Sequence, residues 1–182
     1  MVASKKSAGR KPVTDLSPRA RRTRSALVVA AREIFSEKGY RFTRIVDITE
    51  RAGAAVGSFY THFGSKNEIL YSALEQMVQD MYHERSAVPD SEDSPFEHLL
   101  LRNRQYFESY KNNSRLLAVF ERVALDSADF RELRMRVRHD FVGRIARQIK
   151  SQQDAGICST EIDADSTAGV LGSLVERSAY MA

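Results

Sequence analysis

The chain has 182 residues, with 28 basic and 24 acidic side chains, a net charge of +4, 42% hydrophobic residues and 29% charged ones. That balance excludes a disordered tail or a fibre and suits one compact domain with a sizeable core, or a small head fused to a larger body. No apolar run approaches the roughly 20 residues needed to cross a bilayer, no secretion-signal core follows the basic N-terminus, and the lone Cys158 fits a reducing interior, so a cytoplasmic address without membrane association is expected.

The basic surplus is concentrated at the start. Residues 1–24 carry Lys5, Lys6, Arg10, Lys11, Arg19, Arg21, Arg22 and Arg24 against the single acid Asp15. Such a block reads either as an arm attracted to a polyanion or as a solubilising tail. Residues 1–16 hold Gly9 and Pro12 without periodicity and are expected to be a disordered basic arm. Ser17 and Pro18 then supply an N-cap and a first-turn proline. The helix that follows places Leu27, Ala30, Ala31, Ile34 and Phe35 on one face and closes at Gly39.

Two short helices and a freshly capped third come next. Thr43 can cap a helix whose inward residues are Ile45, Ile48 and Ala52, with Asp47 and Glu50 in its early turns, where the helix dipole favours acids. Gly53 ends it. A second short helix runs from Ala54 or Ala55 to about His62, anchored by Phe59 and Phe63, which are spaced four apart. Ser58, Thr61 and His62 are left facing outward. Ser65 with Glu68 forms a capping box, so a longer helix starts at Lys66 and extends to about Glu84. Two helices at a steep angle about a glycine turn make a helix-turn-helix.

Beyond it, Pro89 and the stretch Asp90 to Ser94 predict a loop, closed by a second capping box at Ser94-Pro95-Phe96-Glu97. A fifth helix from there contains Leu99, Leu100, Tyr106, Phe107 and Tyr110 and stops at Asn112-Asn113. A sixth, about residues 114–124, buries Leu116, Leu117, Phe120 and Val123. After a turn at Asp126 a seventh repeats apolar residues at Leu133, Val137, Phe141, Ile145 and Ile149 and ends near Gly156. An eighth starts near Asp165 and carries Gly169 and Gly172. Each glycine costs a helix about 1 kcal/mol relative to alanine, and close approach of another helix is the expected offset. No segment alternates with period two over a strand's length, so the expected fold is all-α.

The run from Ala30 to Leu70, with Ala31, Phe35, Gly39, Asp47, Ile48, Ala52, Gly53, Gly57, Phe59-Tyr60, His62-Phe63, Ser65-Lys66 and Leu70, resembles the N-terminal DNA-binding domain of the TetR family of bacterial transcription regulators. The resemblance implies a homeodomain-like three-helix head over residues 17–64 and a helical ligand-binding and dimerisation body over residues 65–182. It implies a homodimer on a double-stranded DNA operator, a small hydrophobic effector and neither cofactor nor metal. The family builds its dimer from its last two helices, whereas this sequence stops at Ala182, where the second of that pair is expected to begin.

By the same resemblance Thr43, Tyr60 and Lys66 contact the DNA backbone, with Arg44 as a further phosphate contact. Base reading falls to the helix from Ala55 to His62. Ser58, Thr61 and His62 are its polar candidates, Ala55 and Val56 offer apolar contact, for instance to a thymine methyl, and Gly57 permits close backbone approach. Met81, Leu100, Phe107, Tyr110, Phe120, Phe141 and Ile145 are candidates to line an apolar effector cavity, although an aromatic stripe at helical spacing is first of all core.

An enzyme is disfavoured. His62, His83, His98 and His139 are scattered, and there is no metal-spaced cluster, phosphate-cradling glycine loop or nucleophile elbow. The expected function is a repressor that a hydrophobic or aromatic molecule releases from a near-palindromic operator. A transcriptional activator and an architectural DNA binder without ligand are the alternatives.

Overall fold

The computed structural model of the chain describes residues 16–86 and 95–181. The arm before Leu16, the loop at Pro89 and the capping residue Ser94 lie outside the described residues. Within them are seven helices and no strand: α1 Pro18–Phe42, α2 Ile45–Arg51, α3 Val56–His62, α4 Lys66–Ser86, α5 Pro95–Asp126, α6 Ala128–Asp154 and α7 Ala164–Met181. By contacts they fall into two compact units, one running to Asp80 and taking in Arg115–Val119, the other covering Met81 to Ser114 and Phe120 onward.

The first unit is built from local signals. Ser17 caps α1 by accepting the Ala20 amide at 3.3 Å, and Pro18 occupies the first turn, where its missing N–H has no partner to lose. Leu27, Val28, Ala30, Ala31, Ile34 and Phe35 are buried along one face. Gly39 sits at φ 73, outside helical geometry, so the regular helix breaks where expected and a last short turn runs on to Phe42. The cap of α2 is Arg44, not Thr43. Thr43 is turned back, and its hydroxyl donates to the Gly39 carbonyl at 2.7 Å. Asp47 supplies the missing cap from inside α2, accepting the Arg44 amide at 2.8 Å. At the start of α4 Ser65 accepts the Glu68 amide at 3.2 Å, while Glu68 reaches back to the Gly64 amide at 2.7 Å.

In the second unit the expected stop at Asn112-Asn113 is absent, and α5 runs unbroken from Pro95 to Asp126. The side chains that could have ended the helix bond inside it instead: Asn113 Nδ2 donates to the Ser109 carbonyl at 2.9 Å and Ser114 Oγ to that of Lys111 at 2.8 Å. The expected fifth and sixth helices are therefore one. Just past the end of α6 stands Gly156, whose φ of 72 lets the Ile157 amide reach back to the Gln152 carbonyl at 2.9 Å. α7 is capped by Asp163, which accepts the Ser166 amide at 2.7 Å. Ala164, Ala168 and Gly172 form a buried row of small residues on α7. A Cβ built on Gly172 would stand 3.1 Å from Val142 Cγ2, with Phe141 and Ile145 just beyond, so this glycine does admit the neighbouring helix; Gly169 has open space. Arg138 ties the same pair of helices, pairing with Glu176 and donating to Ser173 Oγ at 3.0 Å.

Candidate nucleic-acid interface

The helix-turn-helix is α2, the turn through Gly53 and α3. Gly53 has φ 62, a left-handed conformation that L side chains rarely adopt, and the Ala54 amide closes the turn onto the Thr49 carbonyl at 2.9 Å. α3 spans about 10 Å at the rise of an α-helix, and two rings fix its orientation. Phe59 and Phe63 are fully buried, with centroids 5.7 Å apart, and the guanidinium of Arg24 lies 4.8 Å over the Phe63 ring.

With those anchors inside, the rest of α3 turns to water. Tyr60 is 52% exposed, its ring edge-on to Phe59 at 5.4 Å. Val56, Ala55, Gly57 and Thr61 are exposed, whereas Ser58 and His62 are half-buried. Thr61 Oγ1 donates to the Gly57 carbonyl at 3.2 Å. Among the described residues, apart from its chain neighbours and its own helix backbone, nothing lies within 4 Å of a Cβ built on Gly57, so the backbone there is open to approach.

The cationic residues divide into presented and engaged groups. Arg44 presents a side chain 74% exposed, yet its guanidinium meets Asp47 at 3.0 Å. Lys38 reaches the same carboxylate at 3.1 Å. Hydrogen bonds from Arg44, aided by Lys38, hold the Asp47 carboxyl well below the usual carboxylate range despite the burial that opposes ionisation. Lys66 is turned inward. Its Nζ donates to the Tyr40 and Thr43 carbonyls, both at 2.9 Å, and stands 4.3 Å from the Tyr40 ring centre. Burial pushes this ammonium below its ordinary pKa. Of the three residues assigned to the DNA backbone by resemblance, Tyr60 is presented directly, Lys66 retains one N–H beyond its two internal bonds, and Thr43 is only 2% exposed with its hydroxyl engaged.

Sequence reasoning missed the ties that hold this geometry. Arg51 donates to Glu33 at 2.7 Å and to Glu37 at 3.0 Å, clamping α2 onto α1. The i, i+4 pair of acids on α1 is visible in the sequence, but nothing local names its partner 14 or 18 residues away. Tyr40, which accepts Lys66 at its carbonyl and donates its hydroxyl to Asn67 Oδ1, was equally unsignalled.

The candidate effector residues do not share one environment. Phe120 and Phe141 are buried, Leu100 is 52% exposed, and Met81, Phe107, Tyr110 and Ile145 are half-buried. Tyr106, not among them, stacks on Phe141 at 5.2 Å and lies within 6.2 Å of both Phe107 and Tyr110, ring centre to ring centre. No helix among the described residues is long and apolar enough to cross a membrane.

Residues 27–73 match the family described as bacterial regulatory proteins, tetR family. The transcriptional repressor KstR2 of Mycobacterium tuberculosis is 29% identical over 98 residues, which are 54% of this chain and 49% of that protein. The chain spans about half the length of the curated relatives it matches. Among solved structures, a regulator from Syntrophomonas wolfei ascribed to the TetR family superposes with a TM-score of 0.71 at 23% identity, over 88% of this chain and 82% of that one, a likeness of fold. The complex of SmeT with triclosan gives a TM-score of 0.65 at 25% identity, over 84% and 76%. With α1, α2 and α3 arranged as a helix-turn-helix and followed by a helical body, residues 27–73 match the domain of the tetR family of bacterial regulatory proteins, and the chain shares its all-helical fold with solved structures ascribed to that family.

Proposed function

We propose that the chain represses transcription as a homodimer on a near-palindromic operator and leaves it when a hydrophobic or aromatic small molecule binds the body. The two-sided build of α3 carries this reading: Phe59 and Phe63 are buried while Val56, Gly57, Tyr60 and Thr61 face water. A helix so anchored suits a major groove about 12 Å wide. Ser58, Thr61 and His62 read base edges, Ala55 and Val56 give apolar contact, and Gly57 lets the backbone approach. Tyr60 and Arg44 take phosphates, with Lys66 adding its remaining N–H. Thr43 acts by shaping the corner between α1 and α2, because its hydroxyl is engaged.

On α7 Val170, Leu171 and Leu174 form an exposed apolar strip, which supports a second copy as partner. Two copies place recognition helices about 34 to 36 Å apart. The half-buried Phe107 and Tyr110 beside the Tyr106–Phe141 stack support an aromatic effector, and SmeT, of the same fold, forms a complex with triclosan. KstR2, a repressor, supports repression over activation. An effector releases DNA only by binding one conformation better than another. α4, which begins at Lys66 and carries Met81, is the continuous route for such a shift.

Selection of genomic fragments by the purified protein tests the reading. One enriched near-palindrome is expected, with log affinity falling against log salt by about 0.9 per phosphate neutralised. Equal competition by random duplex at fixed salt would leave an architectural binder. Lys66→Ala should lower the slope by about one contact per subunit; an unchanged slope removes Lys66 from the phosphate set.

A further inference from the structure

Gln105 is an anomaly on α5. Ser109 and Leu116, 4 and 11 residues further on, lie on the same side of the helix and are buried. The Gln105 Oε1 atom is sealed as well: less than 1 Å² of it reaches water, and no donor among the described residues reaches it. Four residues on, the Ser109 carbonyl already accepts Asn113 Nδ2 at 2.9 Å. The next residue, Tyr106, opens the ring cluster with Phe107, Tyr110 and Phe141. A carbonyl oxygen held away from water without a donor is unfavourable, and leucine or methionine would fill the space without that penalty. A glutamine there needs a donor from beyond the described residues, and a bound molecule is one that can supply it.

We propose that Gln105 is the specificity-determining residue of the effector site, its Oε1 accepting a hydrogen bond from a hydroxyl on an aromatic ligand whose ring lies against the Tyr106, Phe107, Tyr110 and Phe141 cluster. The assignment rests on reading the body as a small-molecule receptor, and narrows its effector from hydrophobic molecules in general to hydroxylated aromatics. The ring contributes apolar burial, and the hydroxyl distinguishes the ligand from its unsubstituted parent.

Calorimetric titration of the full chain with 2-naphthol, naphthalene and 2-methoxynaphthalene tests it. The last keeps the oxygen and lacks the O–H. The native chain should bind 2-naphthol about five- to tenfold tighter than either of the others, the value of one net hydrogen bond. Gln105→Leu and, independently, Gln105→Met should keep naphthalene binding and lose that preference, with the unfolding midpoint of the free protein unchanged or raised. A preference that survives both substitutions overturns the assignment and leaves the receptor reading standing. A lowered midpoint in both variants with the preference intact means the carboxamide is satisfied within the fold, and also overturns it. Binding of none of the three probes removes the receptor reading and the assignment together.

Discussion

The first unit has a fully sealed core beside its exposed Phe42 and Tyr60, and the core of the second is less completely closed. Among the described residues every one of the largest fully buried side chains, from Phe35, Phe59 and Phe63 to Leu74 and Met77, belongs to the unit that carries the helix-turn-helix. The second unit's core residues Phe120, Phe130, Leu133 and Phe141 each retain a few per cent of exposure. It also leaves Leu125, Met135, Ile157, Val170 and Leu174 more than half exposed. A part that must present one short helix at a fixed angle gains from anchors that cannot shift. Under the proposed function, a part that receives an effector and a second copy gains from apolar surface still uncovered.

The largest effect that would break this contrast lies in α3. Phe59→Ala removes a fully buried ring and should cost about 3 to 5 kcal/mol, read as a fall in the unfolding midpoint together with loss of DNA binding. Tyr60→Ala, one residue on, should stay within about 0.5 kcal/mol of the native stability while weakening DNA binding. Equal destabilisation by the two would mean that α3 has no outward face.

In the body the sharper comparison is between two glycines three residues apart. Gly172→Ala puts a methyl group 3.1 Å from Val142 Cγ2, and this crowding should cancel part or all of the roughly 1 kcal/mol that alanine gains in helix propensity. Gly169→Ala meets open space and should gain up to about 1 kcal/mol from helix propensity. Thermal melts of both variants decide it, and an equal gain at both positions would refute the close approach of α6 and α7.

Those two glycines also mark the limit of what the sequence discloses. Both suggested helix contact and only the one facing Phe141, Val142 and Ile145 makes it, because the choice is set by the rotation of α7, which depends on the partner helix. In the head, by contrast, the turn at Gly53, the anchors at Phe59 and Phe63 and the cap at Ser65 were legible because each acts within a few residues of itself. Thr43 was misassigned as a cap because its hydroxyl had two competing local partners, and the preceding Gly39 carbonyl took it. Lys66 was legible as a helix start and not as a brace, since its two carbonyl acceptors lie 23 and 26 residues earlier.

A smaller effect concerns acid. Arg44 and Lys38 favour the ionised form of Asp47 in the folded head, so its folded pKa lies below its unfolded one. The stability this contributes is complete above the ordinary carboxylate value of about 4 and is lost as pH falls below it toward the folded pKa. Unfolding midpoints should therefore drop more steeply for the native chain than for Asp47→Asn between roughly pH 4 and pH 2. Parallel acid limbs in the two proteins would remove Asp47 from the stability of the α1–α2 corner.

The smallest effect bears on the join that the sequence placed at Asn112-Asn113. If those asparagines ended one helix and opened another, replacing them by alanine would remove caps and cost about 1 kcal/mol. In one continuous α5 they are interior positions, where alanine is the better helix former by roughly 0.5 kcal/mol. Asn113 gives up a bond to the Ser109 carbonyl, which the helix's own amides already approach. Asn112→Ala, exposed and without that bond to lose, should raise the midpoint by a degree or two, and Asn113→Ala should change it less. A fall in both would restore the break in α5.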